Sequence, residues 1–350
     1  QQPADAVKPA DVVADAGKPA AGVGDQGKAD GQPPVDDKGA AKVETKEPVV
    51  PEKYEFAVPE GFELDAEIAT EFEAFAKESK LTQEVAQKYV DFGAKLVQAN
   101  QKEADEACAS AAEQLLKDGA TILDIGGEST RPGAPPVPLQ DELDRVLPLL
   151  REALKLGVPL SIDTYKPEVM QACLDLGADI INDVWALQRP FENGQGSGVE
   201  VVARHPSCGV CLMHMHLEPQ RMQVAPMTGD VVPQVVDFLR QRAERLRAQG
   251  VAPERIVLDY GIGFGKTVAQ NFALLARQPE LLALGYPLLS GWSRKSSLGA
   301  VTGREVPRER AAASVAAHLL AIERGAHVVR VHDVRETVDA IKVWQAMQAQ

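Results

Sequence analysis

Three hundred and fifty residues, 45% hydrophobic and 25% charged, suffice for one large domain or two ordinary ones with a sizeable core. A formal charge of -14, from 51 Asp and Glu against 37 Lys and Arg, argues against gripping nucleic acid or an anionic membrane as the main task, since both need a basic surface. No apolar run approaches a membrane span, and four cysteines (Cys108, Cys173, Cys208, Cys211) make no disulfide scaffold, so a cytoplasmic enzyme is expected. The chain opens on Gln1 without a basic start or an apolar stretch. No signal peptide is expected, and the sequence reads as starting inside a longer frame or after processing.

Composition changes near residue 100. Residues 1–100 hold 20 Asp and Glu, 11 Lys and no Arg, whereas residues 101–350 hold 7 Lys and 19 Arg. Residues 1–52 are rich in Ala, Pro, Gly, Asp and Lys and lack aromatics. Such a segment cannot bury enough apolar area to offset its ordering entropy, and it is expected to be disordered. Residues 53–103 read as a helical module of unknown role. Tyr54–Val58 could form a short strand. Ile68, Phe72 and Phe75 share one helical face, and Val85, Tyr89, Phe92 and Leu96 recur at the helix period.

From 104 to 350 the texture is that of an α/β protein. Apolar runs at 121–126, 159–164, 179–184, 209–215, 255–261, 286–293 and 327–332 alternate with helical stretches, which predicts seven parallel strands. Polar residues stand where the runs end: Asp124, Asp163, Asn182, Asp183, His214, Asp259, Ser293, Arg330 and His332. Contributions from every strand favour a TIM-type (β/α) barrel over an open sheet with one switch point. Such a barrel needs eight strands, and only Tyr54–Val58 offers an eighth.

The strand-end segments carry the chemistry. GESTRPGA (127–134) places Ser129, Thr130 and Arg131 after a turn. They could hold phosphate oxygens, or the Arg could pair with a surface acid. Asp163, Asn182 and Asp259, at equivalent places, could read the N–H groups of a flat heterocycle or cap the next loop. GIGFGKT (261–267) lacks the first Gly of a phosphate loop, since Tyr260 stands there, and is read as a Gly-rich turn close to a ligand. SRKSSLG (293–299) sets Arg294 and Lys295 at a helix start, and HVVRVHD (327–333) turns Arg330 and His332 to one side. An anion site accounts for both; the alternatives are a capped helix with solvated basic residues for the first and a structural salt bridge for the second. Cys208, Cys211, His214 and His216 have the spacing of a zinc run. On a strand, neighbouring ligands would face opposite ways, so buried thiols and a pocket-lining Met213 are the expected outcome.

Taken in order, DGATILDIGGESTRPGA, SIDTYKP, INDV, CLMHM, GFGK, SRKS and RVHDV resemble the dihydropteroate synthase family over about 104–347. The resemblance implies a barrel that condenses 6-hydroxymethyl-7,8-dihydropterin diphosphate with 4-aminobenzoate, giving 7,8-dihydropteroate and diphosphate. Carried over, Asp163, Asn182 and Asp259 hold the pterin's donor edge and Lys295 its carbonyl, with Met213 and Phe264 beside the ring. Thr130, Arg131, Arg330 and His332 hold the diphosphate, while Pro132 and Ser296 face the aminobenzoate. Asp163, Lys295, Arg330 and His332 carry the catalytic roles. Magnesium is implied as cofactor and a homodimer is an assembly to test.

Two departures from the family stand out. The opening strand and loop, with its magnesium-binding Asn, are missing, and Tyr260 replaces a customary Pro. The alternatives are an impaired pterin-binding fusion and a barrel that binds reduced folate for methyl transfer. The latter would have no diphosphate to hold.

Overall fold

The computed structural model describes residues 49–59, 64–131, 133–217, 221–222 and 224–350. The expected disorder up to residue 48 and the role of Pro132 lie outside them. The chain divides into two compact units, one of Gln1–Glu55 with Ala66–Ala86, the other of Phe56–Asp65 with Gln87–Gln350.

In the first unit, helix α1 (Ala66–Glu78) is followed by the start of α2 (Gln83–Lys117). Thr82 begins α2 by accepting the Val85 N–H on its Oγ1, at 3.3 Å. Tyr54 is buried and its hydroxyl donates to the Leu81 carbonyl at 2.5 Å. The strand expected at 54–58 does not form. Side chains occupy its backbone instead: Gln83 Oε1 accepts from Glu55 N at 3.2 Å, and in the second unit Gln87 Oε1 accepts from Ala57 N at 2.9 Å. Backbone groups bound in this way are not free to pair with a sheet, so this segment is not the eighth strand.

Residues 94–118 contain no Gly or Pro, and α2 accordingly runs unbroken for 35 residues across position 103. Its last turns carry Ala112, Leu115 and Leu116 onto the main core. Earlier along the helix, Tyr89, Phe92 and Leu96 have the expected spacing but are exposed, Phe92 by 67%.

The main body of the second unit is a parallel sheet. Its strands are β1 (Leu123–Ile125), β2 (Leu160–Asp163), β3 (Ile180–Asp183), β4 (Gly209–Met213), β5 (Ile256–Asp259), β6 (Leu288–Ser290) and β7 (Val328–Val329). They pair in sequence order, each with the next, all parallel. Short apolar runs are what such strands need, because helices cover the outer face while side chains fill the inner one. The intervening helices include α3 (Leu139–Ala153), α4 (Pro167–Leu176), α5 (Gly198–Arg204) and α6 (Val231–Ala248). One helix expected at 268–279 is two, α7 (Val268–Ala276) and α8 (Gln278–Leu282), because Pro279 cannot continue the hydrogen-bond ladder. Helices α9 (Ser296–Thr302), α10 (Ala311–Glu323) and α11 (Val334–Gln348) complete the set. This is the TIM-type α/β fold with seven strands. Among the described residues β1 and β7 are not paired to each other, and no strand stands between them.

Candidate active site

Strand register decides which side chains share the interior. Asp163 is level with Asn182, Asn182 with Cys211, Met213 with Asp259, and Asp124 with Ser161. Side chains alternate along a strand, so Asp124, Asp163, Asn182, Met213 and Asp259 all have interior parity. Asp183 has the opposite parity. Its carboxylate accepts the Trp185 and Leu187 N–H groups at 2.6 and 2.7 Å and shapes the turn after β3, away from the site.

The interior polar groups are knit by one cation. Arg330, just past β7, donates through Nε to Asp124 Oδ2 at 2.5 Å and through Nη2 to Asp163 Oδ2 at 2.8 Å. It thus ties the end of β7 to β1 and β2 across the open side of the sheet. Asn182 Nδ2 also donates to Asp124 Oδ2, at 3.2 Å. Two acceptors stay unused: Asp124 Oδ1 and Asp163 Oδ1 are buried with no hydrogen-bond partner among the described residues. Buried acceptors are normally satisfied, so these two mark a place for a donor-bearing ligand. Burial raises the Asp163 carboxyl above its usual range, the adjoining Asp124 adds to this, and Arg330 opposes it. Burial raises Asp259 in the same way.

The glycine-rich turn builds the next wall. Gly261 and Gly265 have φ of 67° and 72°, and a Cβ on Gly261 would lie 1.9 Å from the His214 carbonyl oxygen. Lys266, buried beneath the turn, donates to the Gly261 and Phe264 carbonyls at 2.9 and 3.2 Å and to His214 Nδ1 at 2.9 Å. Asn271 accepts from Gly263 N and donates to Ser297 Oγ, linking the turn to α9. The turn holds Phe264 in an apolar cluster with Met213, Tyr165, Val184 and Met222. Lys295 Nζ sits 4.4 Å from the Phe264 ring centroid. Burial holds the Lys295 amine down to about 8, while the charge of Asp259 works the other way. An aromatic face, a thioether, carboxylates and a buried amine therefore converge.

The residues expected from the sequence to read an anion differ in exposure and partners. Thr130 is half-buried and Arg131 exposed, and the charge of Arg131 reaches both Lys295 and His332. His332 Nδ1 lies 2.8 Å from Ser293 Oγ; burial, then Arg294 and Arg330, hold its imidazole below the usual range. Ser296 is exposed at the start of α9. Arg294, read from sequence as a companion of Lys295, turns elsewhere. It is bidentate on Asp333, at 2.5 and 3.1 Å, and so is neither an open anion reader nor a solvated cation. Tyr260 adds no bulk to the site, for its buried hydroxyl bonds Gln278 Oε1 at 3.0 Å and Ser290 Oγ at 2.5 Å. The Cys-His run is engaged in other ways: Cys208 and Cys211 are buried thiols, and His214 Nδ1 accepts from Lys266.

Sequence reasoning named Asp124 only as a strand end, and it passed over Lys266, Asn271 and a buried cluster of Glu128, Glu142 and Lys166. A lysine directly after a glycine-rich turn was the available signal for Lys266.

Comparison with known proteins places this geometry. Residues 93–332 match the pterin binding enzyme family. The dihydropteroate synthase of Neisseria meningitidis serogroup B is 51% identical over 240 residues, covering 67% of this chain and 82% of that protein. The Escherichia coli K12 dihydropteroate synthase is 42% identical over 236 residues, covering 67% and 81%. Among solved structures, Xanthomonas albilineans dihydropteroate synthase with 4-aminobenzoic acid superposes with a TM-score of 0.65 at 48% identity, covering 70% of this chain and 86% of that one. Burkholderia cenocepacia dihydropteroate synthase complexed with 7,8-dihydropteroate gives 0.64 at 52%, covering 70% and 88%.

Proposed function

The chain belongs to the dihydropteroate synthase family, transferases that condense 6-hydroxymethyl-7,8-dihydropterin diphosphate with 4-aminobenzoate, and we propose that the residues gathered at its strand ends divide that reaction among them. The observation that carries the proposal is the pair of unpartnered buried acceptors, Asp124 Oδ1 and Asp163 Oδ1, beside Asn182 and Asp259 on one interior face. A pterin offers the complementary ring N–H donors, and Lys295 donates to its carbonyl. Phe264 and Met213 wall the flat ring.

Thr130, Arg131, Arg330 and His332 take the diphosphate, and Ser296 faces the aminobenzoate carboxylate. In the reaction the methylene C–O bond breaks and its electron pair leaves with the diphosphate. The resulting cation is delocalised over the pterin, where Asp163 stabilises it, and the cationic side chains stabilise the departing charge. The amine nitrogen then forms the C–N bond and passes its proton to the released diphosphate or to water. Because Arg330 already holds Asp163, it stands between the carboxylate that faces the cation and the leaving group it receives.

Magnesium belongs to the proposal as a companion of the diphosphate, whose charge it would offset. Among the described residues no group of three or more His, Cys, Asp or Glu converges on a metal position, so no step is assigned to it. Four free thiols support the cytoplasm as the proposed compartment. Three cations near one another, Arg131, Lys295 and Arg330, favour a diphosphate substrate over methyl transfer from a folate. Calorimetric titration with the pterin diphosphate tests the reading. One site per chain is expected, and no saturable heat overturns it.

A further inference from the structure

Directly after Asp163, three consecutive side chains turn toward two buried carboxylates. Thr164 Oγ1 donates to Glu142 Oε1 at 2.6 Å, and the Tyr165 hydroxyl donates to Glu128 Oε1 at 2.7 Å. Lys166 Nζ pairs with the remaining oxygen of each, Glu128 Oε2 and Glu142 Oε2. Every carboxylate oxygen thus has a donor, and all three charged side chains are at most 7% exposed. Glu142 belongs to α3, whereas Glu128 lies in the loop after β1, two and three residues before Thr130 and Arg131. The same loop is pressed onto α3. Arg145 donates to the Gly127 carbonyl at 3.0 Å, and a Cβ on Gly127 would meet Val146 at 2.8 Å and Glu142 at 2.9 Å.

A buried cation shared by two carboxylates is poor value as a source of stability, since apolar side chains of similar size often serve as well. What it supplies is fixed geometry, because each oxygen and each donor has one place. We propose that Lys166, with Glu128 and Glu142, is a positioning cluster that clamps the 127–131 loop so that Thr130 and Arg131 meet the diphosphate. Lys166 touches no substrate in this account. It acts through the loop, and the proposal rests on the substrate assignment above.

The test uses the full chain with Lys166→Met and, as a milder change that keeps the side-chain shape, Glu128→Gln. Calorimetry compares the pterin diphosphate with the corresponding 6-hydroxymethyl alcohol, which lacks the group that Arg131 meets. Lys166→Met should weaken the diphosphate by about tenfold or more and the alcohol by less than about twofold. In an Arg131→Ala background the Lys166→Met effect should largely vanish, since both changes remove one interaction. Hydrogen exchange of amides 126–131 should speed up in both variants without ligand. Equal losses for the two ligands, a full loss that persists beside Arg131→Ala, or unchanged loop exchange would overturn the positioning role. Should Lys166→Met not fold, Glu128→Gln supplies the same comparison with the same decision. Failure of the unmodified chain to bind either ligand would refute the substrate reading instead, and loop exchange would still decide the clamp.

Discussion

Asp259 sits on the interior face with one oxygen taken by the Gly261 N–H at 2.7 Å, leaving the carboxylate able to accept from a ring donor as well. In Asp259→Asn the carboxamide would turn a donor toward a donor. Lys295→Ala removes both a hydrogen-bond donor and a cation. Mismatched buried polar groups cost about 1–3 kcal/mol each, and more when charged, so both variants should lose roughly 100-fold or more in pterin diphosphate affinity. Unchanged calorimetric binding by either would remove that residue from the site. Lys295 also sets a pH dependence. Its amine is held down to about 8, so the free protein is charged there below that pH and neutral above it. An anionic ligand prefers the charged form, and affinity should therefore be level up to about pH 8 and fall by up to about tenfold per unit above it. Equal affinity at pH 7 and pH 9 would contradict this. The interior residues proposed to read the ring, Asp163, Asn182 and Asp259, were legible because they stand at strand ends, where alternation fixes their direction. Lys166 was not, because its partners lie 38 and 24 positions away and only the fold unites them.

The strands and most helices were legible from their periods, since parallel strands are short apolar runs and the helices between them carry one apolar stripe. Failures came where local pattern met a competing partner. The 54–58 segment has strand-like alternation, yet glutamine side chains satisfy its backbone. The Tyr89, Phe92 and Leu96 stripe is helical and still exposed, because period reports conformation and not what lies opposite. The 261–265 turn is the element on which the ring wall depends. Gly261→Ala would force a side chain into left-handed backbone and against the His214 carbonyl, at a cost of at least about 2 kcal/mol. Urea denaturation should show the lowered midpoint, and an unchanged one would mean that the turn relaxes freely.

At the scale of the molecule, the seven strands present the residues proposed to hold the pterin and the diphosphate, but the sheet stays unclosed between β1 and β7 among the described residues. Arg330 bridges that side with a salt bridge to Asp124 where a closed barrel would have another strand. The seven were countable in the sequence. How the open side is met was not, because it depends on one long side chain reaching across. Ligand groups on the seven strands should suffice for ground-state binding of the pterin diphosphate. The opening loop of the family adds contacts to the second substrate, and positioning of that kind weighs on the chemical step more than on binding. Steady-state release of diphosphate, with both substrates and magnesium, is the direct measurement, made on this chain and on a chimera whose first 103 residues are replaced by a family-type strand and loop. The account expects slow release from this chain that requires 4-aminobenzoate, and release roughly tenfold faster or more from the chimera. No aminobenzoate-dependent release from either protein would contradict a transferase site on these seven strands.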